Sequence, residues 1–79
     1  MKIYSPKLSN KIFKIIENGL NENKEDLQIL DIEDIQYILN EKYNINLNLN
    51  QIGGYLSYLL QDNKICFDEI EGTNNYYAK

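Results

Sequence analysis

Between Asn48 and Gln61 the chain sets amide, hydroxyl and phenol side chains at helical intervals with no charge among them. Asn and Gln carry a donor and an acceptor side by side, the pattern that pairs with the N6 and N7 edge of adenine. Winding the stretch at about 100° per residue with Ile52 inward turns Asn50, Gln51, Gly54, Ser57, Tyr58 and Gln61 outward. Asn48 stands at the start of the same stretch. Gly54, in the middle of the face, would let the backbone approach a base edge or a phosphate closely. Gly53 and Gly54 each cost about 1 kcal/mol in a helix relative to alanine, which asks for a compensating use. Asn48, Asn50, Gln51, Gly54, Ser57 and Tyr58 are therefore candidate base-reading residues. The plainer alternative makes Asn50 and Gln51 products of codon bias and helix capping, and Gly53-Gly54 a close helix contact.

A second set is cationic. Lys7, Lys11 and Lys14 recur at helical spacing; residues 1–16 carry four lysines and no acid, whereas the rest carries four lysines against twelve acids. Such a stripe can neutralise phosphates, and counterion release then supplies affinity. A solvated helix face, or pairing with the acidic 22–34 stretch of a second subunit, would use the same lysines. Near the C-terminus Thr73, Asn74 and Asn75 offer hydroxyl and amide groups for phosphate oxygens. Asp68, Glu69 and Glu71 beside them would be repelled by a phosphate backbone.

Other chemistry is poorly supplied. Histidine and arginine, the commonest proton-handling and oxyanion-handling side chains, are both missing, so an enzyme is not expected. Cys66 is the single cysteine, which excludes an intramolecular disulfide and leaves too few soft ligands for structural zinc; it reads as a structural or exposed thiol. Asp31, Glu33 and Asp34 fall at a helix start, where they complement the dipole better than they suggest a metal. No metal or cofactor is expected. Tyr37 faces outward on the second helix, as an interface anchor, a phosphate donor or codon drift.

These groups need elements to hold them. Ser5 caps a helix opened by Pro6, whose missing N–H costs nothing there. Leu8, Ile12, Ile15 and Ile16 form its apolar stripe, and Asn18-Gly19 predicts its stop, giving a first helix over 6–18. Residues 20–26 read as a polar loop or frayed continuation, and 27–29 as a short strand. Asp31 with Asp34, flanked by Leu30 and Ile35, predicts a capped second helix over 32–43 with Ile32, Ile35, Ile38, Leu39 and Tyr43 inward. Asn48 with Gln51, flanked by Leu47 and Ile52, predicts a third over 49–62 with Ile52, Leu56, Leu59 and Leu60 inward. A hairpin over 64–79 follows, its first strand around Ile65–Asp68, turn residues at 71–75 and a second strand at 76–78.

At 79 residues and 43% hydrophobic, the chain has room for one core, so a single domain over 1–79 is expected. Asn, Ile, Lys and Tyr make up about half of it, all from A/T-rich codons, which points to an A/T-rich bacterium or a phage or plasmid living in one. Neither a membrane span nor a signal peptide is visible, and a cytoplasmic location is expected.

Helix, short strand, helix, turn, helix, hairpin is an order that resembles the winged helix-turn-helix family. The resemblance rests on Ile45-Asn46-Leu47 as the turn, on residues 48–60 as the recognition helix and on residues 64–79 as the wing. It implies an α+β, mainly helical fold whose third helix enters the DNA major groove while the wing touches backbone or minor groove. The implied function is sequence-dependent binding of double-stranded, A/T-containing DNA, in transcription regulation, plasmid or phage partition (centromere binding), or origin binding. The alternative is a winged-helix protein-interaction module that does not bind DNA. A homodimer is expected, because a short chain gains from burying more apolar surface, with Ile3, Tyr4 and Phe13 as interface candidates.

Overall fold

A computed structural model describes residues 5–22 and 30–79. The first helix, α1 (Pro6–Glu22), opens as the Ser5-Pro6 pair predicts: the Ser5 hydroxyl accepts from the Leu8 N–H at 3.4 Å. It does not stop at Asn18-Gly19 but runs on to Glu22. Glycine permits a left-handed exit without compelling one, and its cost of about 1 kcal/mol inside a helix is small enough to be absorbed. The short strand expected over 27–29 lies outside the described residues. Leu30, just beyond it, forms an isolated antiparallel bridge with Tyr76.

The other two helices begin and end where their caps dictate. At α2 (Ile32–Tyr43) the Asp31 side chain accepts from the Asp34 N–H, and the Asp34 side chain accepts from the Asp31 N–H. At α3 (Leu49–Gln61) Asn48 and Gln51 repeat the device with amides. The exit from α3 places Asn63 in the left-handed region, φ 58°, so that the Asn63 N–H reaches the Leu60 carbonyl and the Lys64 N–H reaches that of Leu59. This paired closure satisfies carbonyls that a helix end would otherwise orphan.

A two-stranded antiparallel hairpin completes the chain, β1 (Ile65–Ile70) with β2 (Thr73–Ala78), in a register that runs from Ile65 opposite Ala78 to Ile70 opposite Thr73. The turn is Glu71-Gly72 alone, not the 71–75 stretch that composition suggests. Both residues have positive φ, 52° and 81°, the conformation a two-residue hairpin turn needs to match strand twist. Thr73, Asn74 and Asn75 are therefore strand residues.

Three helices followed by a hairpin make an α+β, mainly helical fold with the winged helix-turn-helix arrangement. Its core joins Ile12 and Ile16 of α1, Ile35 and Leu39 of α2, Ile52, Leu56 and Leu59 of α3, and Ile65 of β1. Each such side chain contributes about 1.5–3 kcal/mol by leaving water. Two tyrosines depart from the sequence pattern. Tyr43, expected inward, is 40% exposed at the end of α2, with the Lys11 ammonium 4.5 Å from its ring centre. Tyr55, which the α3 stripe omits, is buried, and its hydroxyl accepts from the Ser5 N–H at 3.0 Å, tying the start of α1 to α3.

Candidate nucleic-acid interface

The turn that carries α3 is held at several points. Asn44 leaves α2 in the left-handed region, φ 55°; its N–H donates to the Asn40 carbonyl and that of Ile45 to the Leu39 carbonyl. The Gln36 amide donates to the Leu47 carbonyl at 3.0 Å, stitching the middle of α2 to the turn. Ile45 and Leu47 pack half-buried against the core. α3 is thus fixed relative to α2 by local caps, one long-range amide and apolar contact.

On α3 the structure leaves Asn50, Gln51, Ser57, Tyr58 and Gln61 exposed, and Gly54 half-buried. The amides are not equivalent. The Asn48 oxygen accepts from the Gln51 N–H at 2.7 Å, and the Gln51 oxygen from the Asn48 N–H at 2.9 Å. Bidentate pairing with adenine uses both ends of an amide, so reading by Asn48 or Gln51 competes with the cap of their own helix. Asn50 and Gln61, the other exposed amides of this face, are not engaged in that cap. A Cβ built on Gly53 would sit 3.8 Å from the Ile32 Cδ1, an ordinary contact, so close packing with α2 does not explain that glycine.

The lysines of α1 separate in the same way. Lys7 and Lys14 are exposed, whereas Lys11 is half-buried with its ammonium over Tyr43. Two further cations, which sequence spacing did not bring together, meet at the C-terminal end of α3. Lys64 lies 3.7 Å from the Asp62 carboxylate, and the Lys79 ammonium donates to the Asn63 side chain at 3.3 Å. Their proximity follows from the hairpin, which returns Lys79 to the carbonyl of Lys64.

The hairpin corrects one phosphate candidate. Asn75 is buried in β2, 8% exposed, and its amide donates to the Thr73 carbonyl, so it is withdrawn from any surface contact. Thr73 and Asn74 remain exposed. Around them the surface is anionic: the Asp68 carboxylate, followed by burial and the neighbouring Cys66, pushes the Tyr77 phenol above its ordinary value. Of the dimer candidates, Phe13 is half-buried and packs against its own core, while Ile3 and Tyr4 lie outside the described residues. The Asp31 and Asp34 carboxylates turn onto cap N–H groups.

Among the described residues no helix is long and apolar enough to cross a membrane. No protein-family model, curated protein or solved structure matches this chain.

Proposed function

We propose that the chain is a small winged-helix protein that binds double-stranded DNA in a sequence-dependent way, as a paired subunit, in transcription regulation or in the partition or origin binding of a small replicon. The observation that carries this reading is the outer face of α3, exposed and uncharged, with Asn50, Ser57, Tyr58 and Gln61 on a helix anchored by its cap and by the Gln36–Leu47 bond. Selection of bound fragments from random and A/T-rich replicon DNA tests it. Asn50→Ala should then weaken the selected site by roughly 1 to 3 kcal/mol and relax preference at one position. Gln51→Ala should chiefly lower folding stability, by about 0.5 to 2 kcal/mol, through loss of its half of the cap. Wild-type affinity and preference in Asn50→Ala would overturn the recognition-helix assignment.

A second reading, a protein-interaction module, is favoured by the anionic hairpin and the absence of arginine. It forecasts no DNA binding even at low salt.

A further inference from the structure

The DNA reading leaves the outer face of α2 unused. There Tyr37 is 67% exposed, and it borders a cleft of about 420 Å³ between α2 and the α2–α3 turn. Ile45, Leu47 and Leu49 supply apolar surface to this cleft, and Leu49 is itself 39% exposed. The shape is held by side-chain bonds to the backbone: the Gln36 amide donates to the Leu47 carbonyl, and the Asn48 cap fixes the residues that follow. An aromatic ring and a leucine left in water beside a hollow of mixed polar and apolar lining are the makings of a binding surface.

Charge says what would fill it. Glu33 lines the cleft one turn before Tyr37, so carboxylate and ring lie together on one helix face. Asp31, Asp34 and Glu41 add negative charge along α2, against Lys42 alone. A phosphate backbone is repelled by this face. A lysine or arginine is drawn to it twice, by the Glu33 carboxylate and by the π-face of Tyr37. Asn40 and Asn46 at the same cleft carry donors and acceptors suited to a peptide backbone.

We propose that this cleft docks a short basic amphipathic segment of a partner protein, with an aliphatic or aromatic side chain seated on Ile45, Leu47 and Leu49 and a lysine or arginine held between Glu33 and Tyr37. It shares no side chain with the outer face of α3 and stands independently of DNA binding.

Selection of a random peptide library on the immobilised full chain, without DNA, is the test. Enriched peptides should combine Lys or Arg with Leu, Ile, Phe or Trp about three or four positions away. As labelled synthetic peptides followed by fluorescence anisotropy, they should lose roughly tenfold in affinity against Tyr37→Ala and against Glu33→Gln. Glu33→Lys should turn the selection toward acidic peptides. The proposal is overturned by a lack of enrichment, by enriched peptides without a cation, or by affinities indifferent to these variants. Loss of DNA affinity in Tyr37→Ala would overturn it in favour of a nucleic-acid surface. Conversion of a dimer to a monomer by the same substitution, seen in sedimentation, would overturn it by assigning the cleft to a second copy.

Discussion

The two capping boxes use the same geometry with different chemistry, and the difference sets their pH behaviour. At the start of α3 the exchanging groups are amides, indifferent to pH. At the start of α2 they are two carboxylates. Burial pushes the Asp34 carboxyl above its ordinary 3.8, the Asp31 N–H bonded to it pulls it down, and the Asp31 charge pushes it up again. Because the folded state raises this pKa, the stability tied to the protonated group is fully present below the ordinary value and is lost as pH rises through the raised one. Asp31→Asn keeps a capping oxygen and removes the neighbouring charge. The Asp34 carboxyl, followed by ¹³C NMR, should then titrate lower, with a smaller loss of stability across the same pH window. An unmoved titration would show that the Asp31 charge has no part in the shift. Both boxes were legible in the sequence because a cap spans only a few residues. What the spacing did not reveal is that capping occupies the oxygens of Asn48 and Gln51, which leaves Asn50 and Gln61 as the amides of the outer face outside the cap.

Among the elements, the hairpin turn shows how composition misleads about length. Five consecutive turn-forming residues, 71–75, suggested a long loop, but the ladder continues to Ile70 and Thr73 and closes over Glu71-Gly72. Glycine accepts its φ of 81° freely, whereas Glu71 at 52° holds a conformation disfavoured by about 1 kcal/mol for a side chain of its kind. Asparagine tolerates it better, and Asn-Gly is the preferred pair for such turns. Glu71→Asn should raise stability by about 0.5 to 1 kcal/mol in urea unfolding, and a lowered midpoint would contradict the turn geometry. The bounds of α2 and α3 were legible for the reason their caps were. The end of α1 was not, since Gly19 allows a stop without enforcing it. Tyr55 stands at i+3 from Ile52, within the helical pattern, but its hydroxyl needs a partner to be buried, and that partner, the Ser5 N–H, is distant in sequence. The α2 cleft was equally hidden, because its apolar surface comes from a turn whose path only the fold supplies.

Over the whole molecule, charge is sorted by element. The first half of α1 holds Lys7, Lys11 and Lys14 ahead of its acids Glu17 and Glu22, α2 is anionic outside Lys42, and the hairpin exposes Asp68, Glu69 and Glu71. With a net charge of −4, the protein would gain nothing from diffuse attraction to DNA, so the proposed DNA binding would depend on concentrated positive surface. A pair of subunits would present the α1 stripe twice. Converting all three lysines to Gln should lower affinity for selected and unrelated DNA by similar factors, because phosphates position a protein without specifying sequence. The slope of log affinity against log salt should flatten by roughly 0.9 for each phosphate that is no longer neutralised. Exposed Lys7 and Lys14 should account for most of that change. Lys11, partly engaged by Tyr43, should show itself instead in folding, with Lys11→Gln costing about 0.5 to 1 kcal/mol of stability. A triple variant that keeps the wild-type salt slope would reassign the stripe to solvent or to a subunit interface, leaving Lys64 and Lys79, at the base of the hairpin, as the remaining described cations near α3.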